Sequence, residues 1–256
     1  MARRRLDAEL VRRGLLPSRD VAKREIEAGK VVVGGAPTTK PARLVLPGED
    51  IRLLGPPPRF VSRAGQKLEA ALEHFDVDPS GLRVLDAGSS TGGFTDCLLQ
   101  EGARRVIAVD VGTNQLHERL RADDRVDVLE QTDVRSLSAD QIGGVVDLVV
   151  GDLSFISLRM VLPNLIDLCR TGASMLLLIK PQFEAGKQEA AKGRGVITDP
   201  AIWDRVIAEV ETAARSLGAE PMGVMKSPIT GTAGNVEFVG HFRCAAAPGE
   251  NEVIHE

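Results

Sequence analysis

The chain has 256 residues, 43% of them hydrophobic, and a formal net charge of −4 at pH 7. That length allows one large domain and a smaller one, and no apolar run reaches the 18 residues that a membrane-spanning helix needs. The N-terminus lacks the apolar stretch of a secretory signal, and the three cysteines lack metal-binding spacing. We therefore expect a cytoplasmic protein with reduced thiols, no metal and no membrane partner.

The charge is unevenly divided along the chain. Residues 1–60 contain 13 Lys and Arg against 7 Asp and Glu, whereas residues 61–256 contain 19 against 29. A small basic module joined to a larger acidic one favours a polyanionic partner for the basic part. A solvated charged surface without a partner explains the same excess.

The basic module reads as a compact α+β domain over residues 1–55. An amphipathic helix begins near Leu6 and ends at Gly14, and a second helix with Ser18 as its N-cap ends at Gly29. Short strands are predicted at 31–33, 43–46 and 51–54. A stiff, proline-rich linker is predicted over 56–61.

A module of this charge is expected to contact RNA through its basic side chains, together with the arginine that follows the linker. These candidates are Arg3, Arg4, Arg5, Arg12, Arg13, Arg19, Lys23, Arg24, Lys30, Lys40 and Arg63.

Residues 62–244 alternate between strand and helix patterns. This alternation predicts a mostly parallel α/β sheet with helices on both faces. The tail 245–256 is predicted to be disordered. Strands are expected at 82–86, 105–110, 126–130, 145–151, 174–180, 221–226 and 235–242, and helices at 63–75, 93–101, 114–121, 157–170 and 200–217.

A small-residue loop joins the first of these strands to a helix. The strand ends on Asp86, and the spacing that follows is D-x-G-x-x-x-G-G, which is neither the dinucleotide fingerprint nor a phosphate-binding lysine loop. An acid opening such a loop suits a cofactor with a cationic or hydroxylic end, and S-adenosylmethionine (SAM) is the candidate. A tight turn without a ligand is the alternative. The candidate cofactor residues here are Asp86, Gly88, Ser90, Thr91, Gly92, Gly93 and Phe94.

The next strand also ends on an acid, Asp110. At that position a carboxylate commonly accepts hydrogen bonds from ribose hydroxyls, although an NAD site would use it too and a helix cap is a plainer role.

Four further ionisable residues stand at predicted element ends. Asp152 and Lys180 each follow an apolar strand, Glu237 lies in the late strand, and Lys67 lies in the helix after the linker. The carboxyl ends of strands in this kind of sheet face the ligand crevice, so Asp152 and Lys180 are expected to meet beside the cofactor. A solvated lysine at a strand exit is a common alternative for Lys180, but the rigid turn Pro181-Gln182-Phe183 that follows it favours a positioned group.

In this order the four residues resemble the K-D-K-E tetrad of FtsJ/RrmJ-like ribose 2′-O-methyltransferases. Over residues 3 to about 243 the chain is similar to the TlyA family, with small departures at Ala64 and at the inserted Arg194. Its N-terminal module resembles the RNA-binding domain named after small-subunit ribosomal protein four. The matching segments are 60–68, 86–96, 109–116, 152–158, 180–184 and 227–237.

The resemblance implies a Rossmann-like, SAM-dependent enzyme that methylates cytidine 2′-hydroxyls in ribosomal RNA. Lys180 would then be the base or the alkoxide stabiliser, Asp152 would orient it, and Lys67 and Glu237 would fix the ribose of the target.

The resemblance also divides the cofactor between three places. The loop at Asp86, Gly88 and Gly92 would hold the methionine part, Asp110 with Val111 the ribose, and Asp133 with Val134 the adenine. Asp133 could instead cap the following helix.

Two rival classes stay open. An RNA base methyltransferase acting on an amine would carry prolines after Asp152, which Leu153 and Ser154 replace, and one acting on a ring carbon would need a cysteine, the closest being Cys169 in a predicted helix. A non-enzymatic RNA-binding or hemolysin-like protein is the second rival.

Overall fold

The computed structural model describes residues 3–55 and 58–245. The chain separates into two compact units, Met1–Ser62 and Arg63–Glu256. The predicted linker 56–61 begins at two residues outside the described ranges, and the predicted tail lies outside them from residue 246 onward. Within the described ranges, every helix is too short or too polar to cross a membrane.

The first unit contains two short helices and two small antiparallel sheets. Helices α1 (Leu6–Arg12) and α2 (Arg19–Glu27) pack on each other. In one sheet β2 lies between β3 and β5, and in the other β1 pairs with β4. The strands are β1 (Arg4–Arg5), β2 (Val31–Val33), β3 (Ala36–Thr38), β4 (Leu44–Val45) and β5 (Ile51–Leu53). The sequence pattern did not predict β1, which is two residues long, or β3, an edge strand containing Pro37.

The predicted start of α2 is confirmed. The Ser18 side chain accepts a hydrogen bond from the Val21 backbone N–H, which satisfies one of the free donors at the helix start. The apolar face of the helix places Val21 and Ile26 in a buried cluster with Leu6 and Leu10 of α1. Burial of this stripe holds the two helices together.

The second unit is built around a seven-stranded, mostly parallel sheet. The strand order is β11-β12-β10-β9-β6-β7-β8, and only the pairings of β12 with β10 and β11 are antiparallel. The predicted α/β fold class is confirmed. The strands are β6 (Arg83–Ala87), β7 (Arg105–Val109), β8 (Val126–Leu129), β9 (Val146–Gly151), β10 (Cys169–Ile179), β11 (Ala219–Lys226) and β12 (Phe238–Cys244).

Alternate residues of the strands face opposite layers of helices. Leu85 and Ala87 of β6 belong to a cluster that includes buried residues of α7 and α10. A second group of helices includes α3 and α4, which pack on each other; α3 contacts β12 and α4 contacts β7. The helices are α3 (Ala64–Phe75), α4 (Gly93–Gln100), α5 (Glu118–Arg121), α6 (Ala139–Ile142), α7 (Leu162–Asp167), α8 (Pro181–Glu184), α9 (Lys187–Lys192) and α10 (Pro200–Ser216).

The predicted helix at 114–121 was wrong over its first half, since only α5 is helical. The Glu130 carboxylate accepts hydrogen bonds from the backbone N–H groups of Asn114 (2.8 Å) and Gln115 (2.9 Å), and Asn114 has a left-handed φ of 58°. The chain therefore turns around a carboxylate, a long-range contact that no local pattern contains.

The predicted helix at 157–170 was also wrong in its extent. A 3₁₀ turn covers Leu158–Met160, α7 follows, and β10 already begins at Cys169. The pairing of β10 with β9 shifts register between Cys169 and Ser174, and the predicted strand covered only the regular part from residue 174 onward. Cys169 thus lies in a strand and not in the expected helix.

Candidate active site

The sheet topology brings four chain segments to one edge. Asp152 and Lys180 follow the last residues of the adjacent parallel strands β9 and β10. Strand β12 runs antiparallel to β10 and pairs Phe238 with Ile179, so its start lies at the same edge. Glu237 precedes β12 and is not inside it as predicted, which places its side chain next to the strand ends.

The four predicted side chains form one continuous chain of ion pairs. Lys180 Nζ lies 2.6 Å from Asp152 Oδ1, and Lys67 Nζ lies 3.6 Å from Asp152 Oδ2 and 2.6 Å from Glu237 Oε2. Lys67 reaches this edge from the first turn of α3. The predicted meeting of Asp152 and Lys180 is therefore observed, and Lys67 and Glu237 join them.

Three of these four charged groups are almost entirely removed from water, and the Asp152 side chain is 17% exposed. Lys67, Lys180 and Glu237 are each at most 6% exposed. Burial of a charge is costly unless it is paired, and here each lysine contacts a carboxylate. A Cβ at Gly231 would lie only 2.5 Å from Glu237 Oε1, so glycine allows the loop before β12 to cover this acid.

The glycine loop after β6 adopts a conformation that favours its sequence. Gly88 and Gly92 have φ values of 84° and 94°, and Ser90 also has a left-handed φ, 46°. A Cβ on Gly88 would lie 3.0 Å from the backbone oxygen of Asp152, which leaves no space for a larger residue. The loop then continues into α4, with Gly92 as the N-cap and Gly93 and Phe94 buried.

Asp110 shapes this loop by accepting backbone hydrogen bonds. Its Oδ2 accepts from Ser90 N (2.8 Å) and its Oδ1 from Gly112 N (2.7 Å). Each carboxylate oxygen has a second lone pair, so a ribose hydroxyl can still bind there. Thr91 is half-buried in the same loop, and Val111 is 70% exposed beside Asp110.

Asp86 is a fully buried carboxyl with one vacant acceptor. Its Oδ2 accepts from Thr95 Oγ1 at 2.6 Å, while Oδ1 has no hydrogen-bond partner among the described residues. Burial, and to a lesser extent the negative charges of Asp152 and Asp110, raise the pKa of Asp86 to about 7. This group is suited to a hydrogen-bond donor or a cation.

Asp133 serves as a cap in the structure. Its side chain accepts from the Arg135 backbone N–H at 2.9 Å, starting a 3₁₀ turn, and the Arg135 guanidinium lowers its pKa. This is the plainer of the two predicted roles. Thr132 N donates to the Asp110 carbonyl (3.0 Å), so this loop lies beside Asp110, and Val134 is buried behind it. The cofactor role of Asp133 and Val134 stays a prediction.

The residues that support Lys180 were not among the predicted site residues. Lys180 Nζ donates to Ser154 Oγ at 2.8 Å. Phe155, the next residue, is 91% exposed with a φ of 63°, and its ring lies 5.2 Å from that of Phe183. An isolated aromatic residue in the segment after Asp152 was the available signal, in a chain with only seven Phe and no Tyr.

Glu184 was also missed, and it holds the far end of the same loop. Its buried carboxylate accepts from Ser157 Oγ (2.5 Å) and from Leu158 N (2.7 Å). Burial raises the pKa of Glu184. Helix α8, only four residues long, thus contacts the 152–158 loop through Lys180 at one end and Glu184 at the other.

Most of the candidate RNA-contacting residues are exposed, and several of them also form ion pairs within the first unit. Arg5 and Arg19 pair with the buried Asp7, and Arg12 and Arg13 with the buried Glu9. Arg63, in the second unit, donates to Thr232 Oγ1 at 3.0 Å. Two further candidates form exposed ion pairs, Lys23 with Asp20 (3.9 Å) and Lys30 with Glu25 (3.2 Å). The remaining candidates are exposed: Arg3, Arg4, Arg24 and Lys40.

Arg13 is largely used within the first unit. Its guanidinium donates to the backbone carbonyls of Leu46, Pro47 and Glu49 as well as to Glu9, and 21% of its side chain is exposed. It therefore connects α1 to the segment between β4 and β5, which leaves few donors for RNA.

The sequence matches known protein families over most of its length. Residues 60–244 match the FtsJ-like methyltransferase family, and residues 4–51 match the S4 domain. The 16S/23S rRNA (cytidine-2'-O)-methyltransferase TlyA of Mycobacterium tuberculosis is 47% identical over 262 residues, which covers 100% of this chain and 97% of that protein. The Bacillus subtilis protein YqxC is 43% identical over 249 residues, which cover 97% of this chain and 87% of that protein.

A solved structure is similar to this chain in fold as well as in sequence. A Streptococcus thermophilus protein named as a hemolysin superposes with a TM-score of 0.76 at 40% identity, covering 96% of this chain and 90% of that one. On these matches, which span both units, the chain belongs to the TlyA family of FtsJ-like methyltransferases and carries an S4 domain at its N-terminus.

Proposed function

We propose that this protein transfers a methyl group from SAM to the 2′-hydroxyl of a cytidine ribose in ribosomal RNA. The observation that carries the proposal is the largely buried Glu237–Lys67–Asp152–Lys180 chain of ion pairs beside the glycine loop. The relative from Mycobacterium tuberculosis is named for this reaction and matches the whole chain.

The residues around the glycine loop fit SAM. The vacant Oδ1 of Asp86 suits a donor or a cation, and SAM carries both an ammonium and a sulfonium. Gly88 lets the loop pack closely on the backbone of Asp152, which places the loop beside the tetrad, and Asp110 suits the ribose hydroxyls. When bound, SAM supplies an electrophilic methyl group.

The protein's own residues then act on the attacking hydroxyl. Lys180 is assigned to the 2′-oxygen, where it takes up the proton or stabilises the developing negative charge. Asp152 and Ser154 hold Nζ in place through contacts of 2.6 and 2.8 Å. Lys67 and Glu237 orient the ribose from the other side of Asp152, so that much of the rate comes from alignment.

The target base also has a candidate contact. Phe155 presents its ring almost entirely to solvent next to Ser154, and an aromatic face stacks well on an unpaired base. The S4 domain, with its excess of basic residues, is assigned to RNA affinity and placement without chemistry.

Methylation of a base carbon by Cys169 is disfavoured by the fold. Cys169 is the first residue of β10 and pairs with Val146 of β9, six residues before Asp152, so about 20 Å of strand separates the thiol from the tetrad. Methylation of a base amine is distinguished from ribose methylation by the sensitivity of the methylated RNA to alkali.

The deciding experiment incubates the purified protein and labelled SAM with unmodified ribosomal subunits. The methylated RNA is then digested with alkali, because a 2′-O-methyl nucleotide resists cleavage at its 3′ phosphate whereas a methylated base leaves cleavage intact. We expect an alkali-resistant dinucleotide that contains cytidine. An alkali-sensitive product would overturn the ribose assignment, and no incorporation into either subunit would overturn the substrate.

A further inference from the structure

One buried acid in the S4 domain holds two arginines from different elements. Asp7 of α1 has no exposed surface. Its Oδ1 accepts from Arg5 Nε (3.1 Å), and its Oδ2 accepts from both Arg5 Nη2 (2.9 Å) and Arg19 Nη2 (3.0 Å). These arginines lower the pKa of Asp7 to about 2, so it is ionised at neutral pH.

Both arginines keep donors and surface for a further ligand. Each guanidinium has five N–H groups, of which Arg5 gives two and Arg19 gives one to Asp7. Among the described residues their other N–H groups make no hydrogen bond, and 46% of the Arg5 and 56% of the Arg19 side chain is exposed.

The other acid of α1 provides the contrast. Glu9 is equally buried and holds Arg12 and Arg13, but Arg13 is also bonded to three backbone carbonyls. That cluster connects parts of the domain. The Asp7 cluster has no such carbonyl contacts from its arginines within the described residues.

Two guanidinium groups on one carboxylate oxygen lie close enough to repel each other. The carboxylate offsets that repulsion and fixes both planes, whereas free arginine side chains must lose rotamer entropy when they bind. Arginine binds phosphate through parallel N–H donors, so a pair fixed side by side matches a single phosphate group.

We propose that Asp7 is a positioning residue of an RNA phosphate site, in which it holds Arg5 and Arg19 together to bind one phosphate of the RNA backbone. The proposal rests on the proposed RNA-binding role of the S4 domain. Removal of this negative charge should therefore weaken the binding of a polyanion.

The test measures the affinity of the full chain for an unmodified 23S ribosomal RNA transcript by filter binding at several salt concentrations. Asp7→Asn should bind at least about fivefold more weakly, because two arginines must then be ordered on binding. The negative slope of log affinity against log salt concentration should become shallower by about 0.7 to 0.9, which corresponds to the loss of one phosphate contact.

An exposed ion pair of the same domain gives matched controls. Arg52 Nε lies 3.0 Å from Asp50 Oδ2, and the two side chains are 74% and 54% exposed. Asp50→Asn adds the same charge as Asp7→Asn, and we expect it to bind RNA as tightly as wild type or more tightly. Opposite effects of two isocharged variants separate positioning from net charge.

A charge-preserving pair covers the case in which Asp7→Asn unfolds the domain, as judged by circular dichroism. Arg19→Lys loses the planar fork and should weaken binding at least about threefold, whereas Arg52→Lys should stay within about twofold. Equal effects within either matched pair would overturn the role of Asp7. Absence of wild-type binding would overturn the RNA-binding role as well, so the two failures are distinguishable.

Discussion

Replacing Lys180 by alanine tests the chemistry most directly. At an effective dielectric constant of 20, a cation about 3 Å from a reacting oxygen stabilises its negative charge by about 5.5 kcal/mol. Asp152 lies 2.6 Å beyond Nζ, and its repulsion of that oxygen offsets about 3 kcal/mol. The remaining 2.5 kcal/mol or so corresponds to about 10² in rate. Loss of proton transfer extends the range to about 10⁴.

The assay is single-turnover methylation of unmodified ribosomal RNA, with SAM binding measured separately by calorimetry. Lys180→Ala should lose about 10²–10⁴ in rate while it still binds SAM and RNA, because Lys180 acts on the hydroxyl. Ser154→Ala removes one hydrogen bond of the Lys180 ammonium, worth about 1.5 kcal/mol at the low end, and should cost about tenfold, less than Lys180→Ala. A Lys180→Ala rate within about threefold of wild type would refute the role given to this lysine.

Four other changes probe the cofactor loop and the loop that supports Lys180. Asp110→Ala removes the acceptor for two backbone N–H groups of the cofactor site, so calorimetry should show much weaker SAM binding, and tight NAD binding by wild type would contradict the assignment. Because the pKa of Asp86 is about 7, SAM should bind more tightly as pH rises from 6 to 8, and Asp86→Asn should flatten that profile. In the unliganded protein, Asp86 stays protonated in the native state between about pH 4 and 7, whereas the same carboxyl in the unfolded chain has already lost its proton. The free energy of unfolding therefore falls as pH rises through that window. Asp86→Asn removes this titration and should raise the melting temperature at pH 8. Glu184→Ala should lower kcat about 10- to 100-fold through misalignment of the 152–158 loop, with Glu184→Gln losing less because it keeps an acceptor; identical values would contradict this reading. Phe155→Ala should weaken RNA binding by about 1–3 kcal/mol of lost stacking and leave SAM affinity unchanged, which a parallel titration of both ligands would check.

The sequence by itself determined the features that depend on neighbouring residues. Apolar runs ending on Asp86 and Asp110 identified two strands and the glycine loop between them, because strand patterns and left-handed turns are local. The N-cap at Ser18 was equally local. The strand-end positions of Asp152 and Lys180 predicted that these two residues meet, whereas the membership of Lys67 and Glu237 in the same site was suggested only by a resemblance.

The tertiary structure decided whatever depends on which strands are neighbours. Glu237 reaches Lys67, 170 positions away in the sequence, because β12 runs antiparallel beside β10 and begins at the edge where β10 ends. Glu130 turned a predicted helix into a loop, and Glu184 became the anchor of the 152–158 segment, through hydrogen bonds between distant parts of the chain. Such carboxylates look like ordinary surface acids in the sequence. Their roles arise because a buried acid must find donors, and only the packed chain determines which donors are within reach.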